Sequence, residues 1–347
     1  MNAPRLLALS TALPPFALHQ AEIERRARAY FAGAAALDLD RLLPVFANAG
    51  IETRYSCVPL EWYDRSHGWA ERNELYLDHA VRLLERAARA CLAQATLAPG
   101  QIDAVVTVST TGIATPSLDA RLLNRLGLRP DVTRLPVFGL GCAGGIAGMA
   151  RAADLARTQP GANVLFLVVE LCALCFRRGD SSKSNVVATA LFGDGAAAGI
   201  VSTAGNGPRL GAAGEHTWPD SLGVMGWDVM EDGFKAIFSR DIPALVRSEL
   251  RAAADGFLHR HGLSLADIDH VVCHPGGVKV LSAIEEAFAL AGGALDHARA
   301  VLRDCGNMSA ATVLFVLKRT LDAGCSGRML LSALGPGFTA GFLVLDA

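Results

Sequence analysis

Two stretches of this chain occur twice, in the same order. Leu97-Ala-Pro-Gly-Gln-Ile-Asp-Ala-Val-Val106 is echoed by Leu263-Ser-Leu-Ala-Asp-Ile-Asp-His-Val-Val272, in length and in register. Leu191-Phe-Gly-Asp-Gly-Ala-Ala-Ala-Gly-Ile200 is echoed by Ala333-Leu-Gly-Pro-Gly-Phe-Thr-Ala-Gly-Phe342. Such echoes suggest a duplicated α/β unit of about 150 residues, a period too long for a solenoid. A Gly-rich seam, Ser202 to Pro208, separates an expected first half, 1–205, from a second, 206–347. Strands alternating with helices imply largely parallel sheets covered on both faces.

Within the first half, Leu135 to Arg157 reads as strand, tight turn and Ala-rich helix. Cys142 sits at the turn, after Gly139 and Gly141, whose lack of a Cβ permits a sharp bend. The helix start offers unpaired N–H groups and partial positive charge beside the sulfur. A thiol so placed is expected to ionise below the roughly 8.5 of free Cys and to act as an acylated nucleophile. Two other readings compete. Cys is often an inert buried residue. Gly139-x-Gly141-x-x-Gly144 also matches a dinucleotide fingerprint. That fingerprint opens a first βαβ unit and carries an acid about 20 residues on; here position 162 is Ala.

The chain has 347 residues and a net charge of −2, which gives no footprint for nucleic acid or an anionic membrane. Eight cysteines are too few for a disulfide scaffold, and the lone Cys172-x-x-Cys175 pair lacks the partners of a zinc site. Reduced thiols and a cytoplasmic location are expected. Leu6 to Leu13 resembles a weak signal peptide but reads better as a first strand. No apolar run reaches 18 residues without a charge. Asn73 to Gln94 is an amphipathic helix and Ala21 to Ala36 an Arg-rich one. Ser117 is placed as the N-cap of a helix to Leu126. Phe176 to Val186 reads as a loop and Val224 to Asp241 as irregular.

A nucleophilic Cys needs a base nearby, and acyl transfer needs donors for an oxyanion. The second half offers both. His274 ends a strand before Pro275-Gly276-Gly277, and Asn307 follows Gly306 at a helix start. Each alone is equally a loop histidine or an N-cap. The three together, all at Gly-flanked ends, form a coherent constellation.

With Gly141-Cys142-Ala143-Gly144-Gly145, Leu191-Phe-Gly-Asp-Gly195, His274-Pro-Gly-Gly277, Gly306-Asn-Met-Ser309 and Gly335-Pro336-Gly337, the chain resembles the type III polyketide synthases. These are the chalcone-synthase-like branch of the thiolase superfamily. The resemblance implies a five-layer αβαβα fold, a homodimer, and a triad in which Cys142 takes the acyl group from acyl-CoA. His274 would hold the thiolate as an ion pair; with Asn307 it would bind the oxyanion and help decarboxylate malonyl-CoA. No metal or redox cofactor is implied.

Departures from the plant pattern bear on the substrate. Phe192 keeps one of two gatekeeper phenylalanines. The other aligns with Ala236, and Phe234 or Phe238 could substitute. Trp227 replaces a Gly of the cyclisation cavity, whose other substrate-binding positions are Thr110, Ser309 and the Gly335-Pro336-Gly337 turn. Cys175, Ala114 and Thr115 replace larger or different residues, as in bacterial relatives with a tunnel for long fatty acyl starters. These residues imply alkylpyrone or alkylresorcinol products. Arg41 aligns with one CoA-binding cation, Pro44 and Asn48 fall at the others, and Lys279 is a further candidate. A carrier-protein-dependent ketoacyl synthase shares the triad but carries Gln-Ala-Asn after its His. An NAD(P)-binding oxidoreductase and a non-catalytic dimeric scaffold are the readings from other classes.

Overall fold

The computed structural model describes residues 3–31 and 38–347. The end of the expected Arg-rich helix, 32–36, lies outside the described residues; its described part is the helix Gln20–Phe31. Nine strands form one sheet, in the order His270–Cys273, Arg328–Gly335, Thr339–Asp346, Arg209–Thr217, Arg5–Ala12, Asp194–Ser202, Asn163–Leu171, Ala104–Val108 and Thr133–Val137. The two halves of this order mirror each other. Arg5–Ala12 and Arg209–Thr217 are equivalent central strands, joined by one backbone pair, Arg5 opposite Arg209. Outward on each side come a repeat strand (194–202 or 339–346), a buried strand (163–171 or 328–335) and an echo strand (104–108 or 270–273). Thr133–Val137 adds a fifth strand to the first half only.

The sheet is mixed, not largely parallel. Only the outer pairs run parallel; the inner pairs are antiparallel. Arg328–Gly335 returns into Thr339–Asp346 through the three residues 336–338. So short a connection reverses the chain, whereas a parallel pair needs a long crossover.

Helices Gly144–Thr158 and Thr312–Asp322 lie between the two halves, each touching strands of both. The small residues of 144–158 permit this. A Cβ on Gly148 would stand 2.6 Å from Val108 and 2.7 Å from Phe166. Helix Trp69–Ala95 covers the outer face of the first half, and Ile242–Arg260 that of the second. The result is five layers: helix, sheet, central helices, sheet, helix. The apolar run near the start is the central strand Arg5–Ala12. No helix among the described residues is long and apolar enough to cross a membrane.

Three local expectations change. The end of the supposed loop 176–186 begins a helix, Lys183–Leu191, capped by the Ser182 hydroxyl accepting from the Asn185 N–H. Its Val186, Val187 and Thr189 are stiff at χ1 and hide the helical signal. The supposedly irregular 224–241 contains a hairpin, Met225–Met230 with Gly233–Phe238. It stands outside the main sheet, held by the Arg177–Asp232 ion pair at 2.6 Å and by Trp69 edge-on to Phe234. Ser117 occupies its N-cap position, but its side chain makes no capping hydrogen bond.

Candidate active site

Cys142 lies in a single tight turn, Gly141–Ala143, that runs directly into helix Gly144–Thr158. Gly141 has φ +45°, and a Cβ there would meet Pro336 Cδ at 2.5 Å. Gly335 in turn packs so closely that its Cβ would stand 2.5 Å from the Leu140 carbonyl oxygen. The Gly335-Pro336-Gly337 turn therefore presses against the nucleophile turn. The Thr110 hydroxyl accepts from the Gly141 N–H at 3.1 Å, which leaves its own proton free to point elsewhere.

His274 follows the strand His270–Cys273, its N–H donating to the Ser332 carbonyl at 2.8 Å. The side chain is buried and neither ring nitrogen has a hydrogen-bond partner among the described residues. Asn307 is fixed twice. Its N–H donates to the Leu191 carbonyl at 2.8 Å and its carbonyl accepts from the Gly193 N–H at 3.0 Å. Its side-chain Oδ1 accepts from the Ser309 N–H at 2.9 Å, so Nδ2 faces the Gly276 carbonyl, at 3.4 Å, two residues from His274. An amide held this way presents an N–H to a developing negative oxygen. Ser309 Oγ is 3.5 Å from Cys142 Sγ.

Cys142, His274 and Asn307 line one cavity of about 500 Å³. Burial pushes the Cys142 thiol up to about 12, outweighing the Ser309 hydroxyl and the turn backbone that pull it down. Burial alone pushes His274 down to about 4. Burial thus works against the easily ionised thiol and the ion pair expected from the sequence. Desolvation disfavours the charged form of both groups, and thiol and imidazole face the same cavity.

Glu170, which the sequence reading passes over, lies under the site. It is buried; its Oε2 accepts from the Thr110 N–H at 3.0 Å and the Thr111 hydroxyl at 2.9 Å, and its Oε1 is unpaired. Burial raises it to about 7. The signal was present as one acid inside an apolar strand, a residue type almost never buried without a reason.

Phe192, Trp227 and Ala236 meet as expected. With Cys172, Ala188 and Phe238 they form one apolar cluster. Phe238 stands with its ring 5.6 Å from Phe192, whereas Phe234 turns to Trp69. The pocket at Cys175 is bordered by neither Ala114 nor Thr115, the other two residues of the expected slot. Cys175 lines a pocket of only about 10 Å³, filled in by Trp69, Tyr76 and Phe234. Ala114 packs on the core of the first half, and Thr115 is exposed. Neighbouring aromatics occupy the volume beside the small Cys175 side chain, as close-packed interiors require. An apolar pocket of about 50 Å³ lies instead behind Phe192, Cys172 and Ala188, among Leu18, Ile23 and Phe176.

Arg41 and Lys279 line the same cavity as Cys142, together with Pro44, Asn48 and Arg240, a cation the sequence reading missed. All three cations are exposed, and none has a carboxylate partner among the described residues.

The comparisons with known proteins agree on the family. Residues 3–205 match "Chalcone and stilbene synthases, N-terminal domain", and residues 209–347 match the C-terminal domain of the same family. The chain belongs to the chalcone and stilbene synthases, the type III polyketide synthases. As a member it is an acyltransferase that forms carbon–carbon bonds by condensation. A "Putative chalcone synthase" of Bacillus subtilis (strain 168) is 40% identical over 98% of both chains. A "1,3,6,8-tetrahydroxynaphthalene synthase" of Streptomyces peucetius subsp. caesius is also 40% identical, over 97% of this chain and 92% of its own. The crystal structure of the Streptomyces coelicolor A3(2) tetrahydroxynaphthalene synthase superposes with a TM-score of 0.94 at 30% identity, covering 99% of each chain. This polyketide synthase therefore shares its whole architecture with a bacterial family member.

Proposed function

We propose that this synthase loads an acyl group from acyl-CoA onto Cys142 and extends it with malonyl-CoA. The observation that carries the reading is the shared cavity: thiol, imidazole and amide inside, three unpaired cations exposed around it. Arg41, Arg240 and Lys279 suit the phosphates of CoA. His274 takes the Cys142 proton as sulfur attacks the thioester, and returns it to the departing CoA thiolate. In malonyl-CoA the bond to the carboxylate breaks, carbon dioxide leaves, and the electron pair moves to an enolate oxygen. His274 and Asn307 Nδ2 stabilise that oxygen. The enolate carbon then attacks the Cys142 thioester, the C–S bond breaks and the Cys142 thiolate leaves, so the extended chain is carried on CoA; sulfur attacks that new thioester, the CoA thiolate leaves, and the cycle repeats.

The starter in this reading is a fatty acyl chain, giving alkylpyrones or alkylresorcinols. The apolar side chains of the Cys142 cavity itself, Leu42, Val45, Phe238 and Ile284 among them, are what support it. A tail gains about 0.8 kcal/mol per buried CH₂. A second reading is condensation of malonyl units alone, favoured by the tetrahydroxynaphthalene synthase relatives. We also propose a homodimer, because Ile113 and Phe138 are exposed apolar side chains beside the edge strand Thr133–Val137.

One incubation decides between the starters. The protein is given acyl-CoAs of several lengths with labelled malonyl-CoA, and products and intact protein are read by mass spectrometry. The fatty reading expects product to rise with chain length and one adduct, on Cys142. Product from malonyl-CoA alone establishes the second reading. An adduct on Cys91 or Cys305 overturns the assignment of the nucleophile.

A further inference from the structure

Arg54 is a charged side chain with almost no exposure, 3%, in a short strand, Thr53–Ser56. Its guanidinium meets no carboxylate within ion-pair distance among the described residues. It meets four oxygens instead. Nη1 donates to the carbonyls of Thr189 at 2.6 Å and Phe192 at 2.9 Å; Nη2 donates to the Ala190 carbonyl at 2.9 Å and to Gln20 Oε1. Three of these acceptors are the terminal carbonyls of helix Lys183–Leu191 and the residue after it. Such carbonyls lack intrahelical partners and carry the negative end of the helix dipole.

The same short segment pairs with the site. Phe192 and Asn307 face each other across an isolated backbone bridge, closed by the Asn307 N–H to Leu191 and the Gly193 N–H to Asn307. Arg54 lies across that bridge. A Cβ on Gly193 or on Gly306 would stand 3.2 Å from Arg54 Cβ. Gln20 extends the knot, donating to the Phe46 carbonyl at 3.1 Å and the Ala190 carbonyl at 3.0 Å. Phe46 belongs to the helix Pro44–Asn48, whose Pro44 and Asn48 line the cavity.

We propose that Arg54 is a positioning residue: its four-fold donation holds the 189–193 segment against residues 306–307 and so places both the Phe192 wall and the Asn307 amide. It touches no reacting atom. A planar fork can reach four oxygens on two segments, whereas a lysine ammonium has three donors from one nitrogen. Burial lowers Arg54 to about 9, which leaves it charged at neutral pH. The proposal rests on the condensation reading, since it acts through Asn307.

The test compares wild type with Arg54→Lys, which keeps the charge, and Gln20→Ala, which removes one acceptor. Turnover is normalised to the Cys142 sites that one acyl-CoA adduct titrates, and amide hydrogen exchange is read at Gly193 and Asn307. A displacement near 1 Å costs up to about a hundredfold in rate. Arg54→Lys is expected to lower kcat for condensation by tenfold to a hundredfold per acylatable site, with KM for acyl-CoA little changed. The Gly193 and Asn307 amides exchange faster while the sheet amides do not. Gln20→Ala shows the same pattern, smaller; it serves alone if Arg54→Lys does not fold. Wild-type turnover per acylatable site in the folded variants, however low their melting temperature, overturns the proposal. An inactive wild type overturns instead the reading of the site.

Discussion

The two halves carry the same backbone and opposite chemistry. In the first, the tight turn Gly141–Ala143 enters helix 144–158; in the second, Ser309–Ala311 enters helix 312–322. Even the strained residue repeats, with φ +45° at Gly141 and +47° at Ser309. The turns press together: a Cβ on Gly145 would stand 2.3 Å from the Ala310 carbonyl oxygen. Yet one turn bears a thiol and the other an alanine. The echo strands diverge likewise. Ala104–Val108 leads to Thr110 and Thr111, both bonded to Glu170, while His270–Cys273 leads to an imidazole with both nitrogens unpaired. Duplication supplied two equivalent corners, and the site arises because they were filled differently, with nucleophile from one side and proton acceptor and oxyanion donor from the other.

The sharpest way to break this comparison is to remove a donor from the second half. Asn307→Ala is expected to cut condensation by roughly 10²–10³, the usual cost of one oxyanion donor, while Cys142 still accepts an acyl group. Intact-protein mass spectrometry and product yield measure the two steps separately. Equal loss of both would erase the division of labour between halves.

Next come the matched turns. Gly141→Ala places a side chain at φ +45° and against Pro336. Backbone strain of about 1–2 kcal/mol and crowding of about 1–3 kcal/mol should both appear in chemical denaturation. Ser309→Gly should leave stability level or raise it by up to about 1 kcal/mol, because its left-handed backbone then costs nothing. If Ser309→Gly destabilises as strongly as Gly141→Ala, the two corners are not equivalent.

The smallest effect distinguishes the halves by pH. Glu170, raised to about 7 from 4.5, binds a proton in the folded state that the unfolded chain releases. Its contribution is full below pH 4.5 and lost as pH rises through 7. His274, lowered to about 4 from 6.5, has the opposite sign, its contribution lost as pH falls from 6.5 to 4. Glu170→Gln should therefore gain stability on wild type between pH 5 and 7, by up to about 1.4 kcal/mol per pH unit. Denaturation midpoints across that range check it; a constant difference would contradict the buried carboxyl.

What could be read from the sequence follows the same line. The repeats exposed the duplication, and the Gly-flanked Cys142, His274 and Asn307 stood out because turns at strand ends demand glycine whatever surrounds them. Those signals are local. What stayed hidden was volume and environment. Ala114, Thr115 and Cys175 are small, but the space near Cys175 belongs to Trp69 and Phe234, distant in sequence. Burial weighs on the thiol's ionisation, and the helix start is visible in the chain whereas the burial is not. Arg54 carries no local signal, because its four acceptors come from segments 34 to 138 residues away.

The hairpin Met225–Phe238 has a wider meaning for how such an enzyme diversifies. It supplies Met225 and Phe238 to the cavity wall, and Trp227 and Ala236 to the apolar cluster around Phe192, yet contributes no strand to the nine-stranded sheet. A Cβ on Gly141, Gly144 or Gly145 would stand within 2.7 Å of a neighbouring atom, so the turn at Cys142 tolerates little change. The hairpin's fourteen residues, 225–238, are anchored by the Arg177–Asp232 ion pair, by Trp69 against Phe234 and by Phe192 against Trp227 and Phe238, all through side chains. Because it stands outside the sheet, the hairpin can be exchanged for a relative's without touching a strand pairing, and such a graft is the natural unit for redesigning this wall.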